Sequence, residues 1–330
     1  MSGTATKQEP NPGIVCTIPC NLCGSMDVRS IGTLDRDAKP LRSVICTKCG
    51  LSWTDPRQNE DEIRRYYSKD YRLDYKGTYI PKRKHVLRAG IVARHRFDFV
   101  REFVKPGDRV LDVGSGGGEF VFLMRRLGFD ASGIEPNKGY ATYARECLGL
   151  PIEIDFVQRV ELPVDSYDVI TLHHVLEHLD NPFEALSKIR RAVKDEGIVV
   201  IDVPNIEGVC FSPAHRFHAA HLYNFNRENL EMLGRKAGFS VVRSELSDDG
   251  GVIAIIFRKS TPESGLSGEV PGNFDRIAEI VGNHTRIAHF LSPWPYRRPL
   301  GRLRSYLTQI ARTSDRGDGK QILEKLFDGL

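Results

Sequence analysis

Between residues 106 and 259 the hydrophobic positions switch repeatedly between two periods. Arg109-Val110-Leu111-Asp112-Val113 is a short apolar run suited to a strand covered on both faces, and 119–127 then shows helical spacing. The alternation continues with strands at 131–134, 152–154, 167–172 and 197–203, separated by helices at 139–148 and 182–193. Asn226 reads as the N-cap of a further helix that stops at Gly238. Runs at 239–243 and 252–257 close the series as an antiparallel pair. Such alternation predicts an α/β core, a largely parallel sheet with helices on both faces.

The flanks read differently. Residues 84–103 form a helical stripe (Val86, Leu87, Ile91, Val92, Phe97, Phe99, Val100, Phe103) with arginines opposite, stopped by Pro106-Gly107. An earlier helix carries Tyr66, Tyr67 and Tyr71. After Lys259 comes a Gly/Ser/Pro/Thr linker over 260–273, then helices near 275–291, 300–312 and 320–328. The expected organisation is a Cys-rich module at 14–55, a helical connector at 56–105, the core at 106–259 and a linker with a helical annex at 260–330.

The Cys-rich module has a specific chemistry. Cys20-Asn21-Leu22-Cys23-Gly24 and Cys46-Thr47-Lys48-Cys49-Gly50 are two copies of one turn, in which two thiolates face one ion and glycine supplies a positive φ. Four thiolates make a closed tetrahedral shell suited to structural Zn2+, with no open position for a substrate. The 22 intervening residues slightly exceed the usual spacing and hold two short strands, at 28–31 and 41–45. That describes a zinc ribbon. Cys16 is a spare thiol, while Cys147 and Cys210 lie in apolar contexts and read as core residues.

Composition narrows the field. In 330 residues, 47 Lys+Arg oppose 43 Asp+Glu, and the resulting +4 is too small to argue for nucleic acid or membrane. Ordinary apolar (40%) and charged (27%) contents exclude a disordered or collagen-like chain. No apolar run reaches 18 residues, and 1–13 lacks the apolar segment of a secretory signal, so a cytoplasmic protein is expected.

The most informative stretch is Val110-Leu111-Asp112-Val113-Gly114-Ser115-Gly116-Gly117-Gly118-Glu119-Phe120, a buried strand running through glycines into a helix. Asp112 lies before the turn, and Glu135 ends the next strand 23 residues on, placed to accept from ribose hydroxyls. No Lys-Ser/Thr pair follows the glycines, which excludes a triphosphate-cradling P-loop.

This stretch resembles motif I of the class I S-adenosylmethionine (SAM)-dependent methyltransferases. Residues 167–182, with Leu172-His173-His174-Val175-Leu176-Glu177-His178, are similar to the branch related to ubiquinone-biosynthesis methyltransferases, as is Ala237-Gly238-Phe239. The resemblance covers about 85–258. It implies a Rossmann-like class I methyltransferase sheet and SAM as cofactor. By position it implies that Asp112, Gly114, Ser115, Gly116, Glu135, Pro136, Phe156, Leu172 and His173 hold SAM, with methionine at the glycines, ribose at Glu135 and adenine near Phe156. The sulfonium already activates the methyl group, so the protein has mainly to align a nucleophile and exclude water.

A hydroxyl nucleophile benefits from a base near neutral pKa, which favours histidine. His174 and His178 follow the fourth core strand, and His221 follows the fifth. Glu177 and His178 also read as helix-positioning residues, and His221 as a packing residue. By resemblance, a carboxylate at the place of His174 would complete a divalent site with Glu177 and His178; histidine stands there instead. Tyr66, Tyr67 and Tyr71 form either a lid over the cofactor or an amphipathic face.

From Ile280 to Ser314 six arginines (Arg286, Arg297, Arg298, Arg302, Arg304, Arg312) and no carboxylates occur, with aromatic residues interleaved. This tail suits an anionic acceptor, a peripheral membrane contact or an RNA backbone, or is a solvated helical face. The module-plus-core order resembles sugar and surface-glycan methyltransferases. The expected reaction is methylation of a saccharide or similar small hydroxylated acceptor, on oxygen in preference to carbon. The alternatives are an rRNA base methyltransferase and a non-catalytic SAM-binding scaffold.

Overall fold

The structure, a computed structural model, describes residues 17–57, 80–261, 263, 265–297 and 317–330. Tyr66, Tyr67, Tyr71, Cys16 and the tail arginines 298–312 lie outside the described residues.

The core is a seven-stranded sheet. Numbered in chain order, its strands are β4 (Arg109–Val113), β5 (Asp130–Ile134), β6 (Ile152–Glu153), β7 (Tyr167–His173), β8 (Val193–Pro204), β10 (Phe239–Leu246) and β11 (Val252–Lys259); the other four strands belong to a second sheet. The order is β10-β11-β8-β7-β4-β5-β6. Pairing is parallel from β8 to β6, while β11 runs antiparallel to both β8 and β10. The predicted alternation therefore yields the Rossmann-like methyltransferase sheet. Residues alternate between two hydrophobic clusters, one on each face. On β8, Ile198 and Val200 belong to one cluster, and Val199, Ile201 and Val203 to the other. Burial on both faces is why these strands read as unbroken apolar runs.

The chain leaves β4 toward β5 on one side and later returns to β7 on the other. The carboxyl ends of β4 and β7 thus flank a topological switch point, where open α/β sheets bind their ligands.

Helices α1 (Arg83–Val100), α2 (Glu119–Arg126) and α3 (Lys138–Glu146) contribute to the second cluster. The connector expected at 56–105 is therefore, in its described part, core structure: Val86, Leu87, Ala93 and Val100 are buried in that cluster. Helices α4 (Pro182–Ala192) and α5 (Arg227–Lys236) cover the opposite face. Asn226 caps α5 through a reciprocal capping box with Asn229. Among the described residues three helices follow, α6 (Asn273–Asn283), α7 (Arg286–Leu291) and α8 (Gly319–Leu326). Helix α8 packs back on α1 through Leu323 and Leu326, against Gly90.

The second sheet consists of β1 (Val28–Leu34), β2 (Pro40–Cys46), β3 (Ser52–Thr54) and β9 (Tyr223–Asn224), in the order β1-β2-β3-β9. Its last strand comes from the core segment, and Trp53 pairs with Tyr223. Cys20, Leu22, Cys46, Leu51 and Trp53 share one hydrophobic cluster with Leu172 and Ile201. The module expected at 14–55 therefore packs on the core through these buried residues.

Within the linker expected at 260–273, Val270 N donates to Lys48 O at 3.3 Å and the Val270 side chain packs on the main cluster. One reading is corrected. Cys147 is exposed, because it falls on the outer side of the turn after α3; Cys210 is buried as expected.

Candidate active site and four-cysteine centre

A cavity of about 870 Å³ opens at the carboxyl ends of β4, β5 and β7. Its floor is the glycine turn. Gly114 N and Ser115 N both donate to Ile134 O, at 2.7 and 3.0 Å, tying the turn to the end of β5. Gly114 has φ +73°, and a Cβ there would lie 2.4 Å from Val175 Cγ2. Only glycine fits.

Glu135 is buried and organises the turn. Its Oε2 accepts from Gly116 N at 2.7 Å and its Oε1 from Asn137 N at 2.9 Å. Gly114, Ser115, Gly116, Glu135, Pro136, Phe156 and His173 all line the cavity. Asp112 and Leu172 do not. Asp112 lies in the sheet interior, where it accepts from Thr171 Oγ1 at 2.6 Å, and burial raises its carboxyl pKa. Leu172 is fully buried in the main cluster. Each sits one residue deeper in its strand than the lining residues Val113 and His173, which leaves Leu172 its backbone, the part expected to receive the ammonium end, and Asp112 a role in orienting the loop.

The cavity fits a polar, ribose-bearing cofactor. Two of its lining residues, Ser115 and His173, carry buried side-chain atoms, Oγ and Nε2, without a hydrogen-bond partner. Such atoms are costly unless a ligand satisfies them. His173 is aimed by Asp202, whose Oδ2 lies 2.9 Å from its Nδ1 and accepts from Arg96 Nε at 3.2 Å. Burial opposes ionisation of Asp202, yet the His173, Arg96 and His174 charges hold its carboxyl well below the ordinary range. The same Asp202 accepts from His174 N through Oδ1 at 2.9 Å, fixing the positive φ of 55° at His174.

The wall opposite the glycines carries the histidines. His178 Nδ1 lies 2.8 Å from Ala220 O. A carbonyl can only accept, so the ring proton sits on Nδ1 and Nε2 carries the lone pair. That Nε2 is 3.7 Å from Glu177 Oε1, and His174 Nδ1 is 3.4 Å from the same oxygen. Glu177 is 1% exposed, and beyond these two imidazole approaches its carboxylate oxygens have no hydrogen-bond partner. It is therefore a buried counter-charge for an imidazolium. Glu177, His178 and His221 each bring one atom to within 4.8 Å of the others, a spacing a divalent cation would also accept. His221 packs edge-on against His178 at 4.9 Å and tilted against His218 at 5.0 Å. His174, His178 and His221, the three histidines picked out in the sequence, thus meet in one cavity.

Residues 85–244 match the family model described as a methyltransferase domain. Over this segment, just under half of the chain, the protein is similar to that family. A ubiquinone biosynthesis O-methyltransferase of Photobacterium profundum is 33% identical over 105 residues, covering 30% of this chain and 45% of that protein. A ubiquinone/menaquinone biosynthesis C-methyltransferase of Stenotrophomonas maltophilia is 30% identical over 127 residues, covering 35% of this chain and 50% of that protein. The chain spans about half the length of the curated relatives it matches. Among solved structures, a magnesium protoporphyrin IX methyltransferase from Synechocystis superposes with a TM-score of 0.49 and 14% identity, over 61% of this chain and 100% of that one.

The four-cysteine centre lies outside the matched methyltransferase domain but is bound to it. The Sγ atoms of Cys20, Cys23, Cys46 and Cys49 lie within 4.8 Å of one another, with closest pairs at 3.4 Å. A tetrahedron of Zn–S bonds of about 2.3 Å places sulfurs roughly 3.8 Å apart, so this donor set fits zinc. The two turns are equivalent: Gly24 N donates to Cys20 O at 2.8 Å and Gly50 N to Cys46 O at 2.9 Å. Without a cation the sulfurs resist sharing charge. Hydrogen bonding to Cys46 pushes the Cys20 thiol up to about 12, while Cys46 is drawn down to about 2. The second turn is clasped by the domain, since Asn273 Nδ2 donates to Cys49 O at 2.8 Å and Asn226 Nδ2 donates to Asn273 Oδ1 at 2.6 Å. The first turn is held by Lys236 Nζ, which donates to Leu22 O at 2.5 Å.

Sequence reasoning missed several cavity residues: Arg36 and Asp37, Arg96 on α1, and Asn205 with Arg216 beyond β8. Arg96 stands among the arginines opposite the apolar stripe of 84–103, whereas the others lie in polar segments with no periodic pattern.

Three histidines near the cavity make folding pH-dependent. Burial, then the Arg36 charge, brings His218 down to about 4; burial, then Arg216, does the same for His284; burial also depresses His221. His174 works in the opposite sense: burial lowers it, but Asp202 and Glu177 raise it further. Below pH of about 6.5 the unfolded chain takes up protons that the three depressed histidines refuse, so stability falls as pH drops from 6.5 toward 4. Urea unfolding should show roughly 1–3 kcal/mol less stability at pH 5 than at pH 7. A flat or inverted profile would contradict these placements.

Proposed function

We propose that the chain transfers the methyl group of SAM to a hydroxyl of a small acceptor seated between the glycine turn and the 205–221 segment, with His178 as general base. The observation that carries this reading is the His178 Nδ1 contact to Ala220 O, which fixes Nε2 as the basic nitrogen on the cavity wall. When bound, SAM supplies a sulfonium-activated methyl group whose carbon accepts the acceptor's oxygen lone pair as the C–S bond breaks, leaving a neutral thioether. The hydroxyl proton passes to His178 Nε2, and Glu177 balances the imidazolium that results. Asp202 aims His173 and supports the His174 backbone, which keeps the wall rigid during transfer. A proton-accepting imidazole favours oxygen over an unactivated carbon. The hydroxylated class includes the saccharides expected from the sequence and the quinone precursors that the names of the relatives suggest.

His178→Gln is expected to lower kcat by 10²–10⁴-fold while SAM affinity stays within about twofold. His221→Ala should lower kcat by about tenfold, since its ring only packs on the base. Steady-state kinetics beside calorimetry would check both, and a kcat unchanged in His178→Gln would reject this base. The function itself is tested by incubation with labelled SAM and fractionated acceptors, followed by mass spectrometry. Label recovered in small hydroxylated molecules supports it; label confined to RNA, or SAM binding without any transfer, overturns it.

A further inference from the structure

Strand β9 sets one buried polar side chain into the same wall as His178. Tyr223 and Phe225 are 1% and 0% exposed within the main hydrophobic cluster, so alternation turns the residue between them the other way. That residue, Asn224, lines the cavity, and neither neighbour does. Its position is fixed from both sides. The Asn224 backbone pairs with Ser52 of β3, and Ile206 N donates to Phe225 O at 2.8 Å. Tyr223 is clamped by Arg57, whose Nη2 donates to its hydroxyl at 2.7 Å while the guanidinium lies 4.8 Å over the ring. The same hydroxyl donates to Asp180 O at 3.2 Å, and β9 packs against the Leu176–His178 turn. Asn224 is 9% exposed, yet among the described residues its carboxamide has no hydrogen-bond partner. Asparagine is disfavoured in strands, and a buried amide left unpaired lowers stability. The other cavity asparagine, Asn205, is engaged through both side-chain atoms: Nδ2 donates to Gly250 O at 3.0 Å and Oδ1 accepts from Glu207 N at 3.1 Å.

We propose that Asn224 is a specificity-determining residue that hydrogen-bonds a second hydroxyl of the acceptor, adjacent to the one that is methylated. The proposal rests on the methyl-transfer reading and adds its substrate class, an acceptor with two neighbouring free hydroxyls. A carboxamide presents an N–H donor and a C=O acceptor side by side, and a hydroxyl answers both, donating to Oδ1 and accepting from Nδ2. A methoxyl or a carboxylate can only accept, which leaves Oδ1 unpaired. With the reacting oxygen at His178, the packing of β9 on the Leu176–His178 turn puts Asn224 beside the neighbouring substituent. A site that holds a buried polar group for a substrate hydroxyl rejects the analogue lacking that hydroxyl, because the group is then left bare.

The test uses the full-length protein saturated with S-adenosylhomocysteine and three probes titrated by saturation-transfer NMR: cis-1,2-cyclohexanediol, cyclohexanol and 2-methoxycyclohexanol. Wild type is expected to bind the diol about tenfold more tightly than either of the others. Asn224→Leu, close in size but without the amide, should abolish that preference, weakening the diol about tenfold and leaving cyclohexanol within about twofold. Asn224→Leu should also melt no lower than wild type, because no internal hydrogen bond is lost. A merely structural side chain would show the reverse, a lower melting temperature with the preference intact. Asn224→Asp, which is isosteric and keeps only acceptor oxygens, should cut the preference to about threefold, and it decides the matter if the leucine variant does not fold. Equal binding of diol and cyclohexanol by wild type, an undiminished preference in the variants, or no binding of any probe overturns the proposal. Failure of wild type to bind S-adenosylhomocysteine would instead overturn the methyl-transfer reading, so the two failures are distinguishable.

Discussion

Gly114→Ala should weaken SAM binding at least a hundredfold and abolish turnover with it. The new Cβ would meet Val175 Cγ2 at 2.4 Å on a backbone at φ +73°, so the turn has to move. It cannot move alone: Gly114 N and Ser115 N share Ile134 O, and Gly116 N is held by Glu135. A shift of about 1 Å in a positioning element is enough to cost two orders of magnitude in rate. The strain itself is worth only about 1–3 kcal/mol, so the variant should still fold. Calorimetry with SAM beside a thermal melt checks this, and a folded variant with wild-type affinity would place the cofactor elsewhere.

Disrupting the four-cysteine centre, whose donor set fits zinc, should have the largest effect on stability. Its sulfurs are packed in the main hydrophobic cluster rather than in a peripheral knob, and β3 carries the disturbance directly into β9. We expect a strong chelator, or Cys49→Ser, to lower the melting temperature by more than about 10 °C, since structural zinc contributes folding energy outright. SAM affinity in protein that remains folded should change less than acceptor turnover. The glycine turn belongs to the seven-stranded sheet, while Asn224 of β9 and the tip of the β1–β2 hairpin line the cavity from the second sheet. Metal analysis accompanies the melt. A metal-free protein with an unaltered melting temperature would contradict the assignment.

Local signals carried most of the architecture into the sequence. The strands β4, β7 and β8 are buried on both faces and so announce themselves as apolar runs, and Asn226 and the paired Cys turns act within four residues. What sequence could not show was pairing across distance. β3 and β9 are three and two residues long and meet only because the chain returns after about 170 residues. Neither has enough length for a period. The same holds for Arg36, a charged residue in a polar loop whose meaning depends on Phe217 O. Asp112 was legible as a carboxylate before the glycines that reaches an ammonium group or orients the loop, but its bond to Thr171 Oγ1 depends on the pairing of β4 with β7 and could not be read locally.

The central claim is that the glycine turn, with Glu135, Ser115 and His173, forms the SAM site. Diffraction from crystals grown with S-adenosylhomocysteine tests it most directly. The account predicts density along Gly114 to Gly116, with ribose hydroxyls at Glu135 and the adenine near Phe156. An empty turn with the ligand bound elsewhere, or a turn that admits only a nicotinamide dinucleotide, would contradict it.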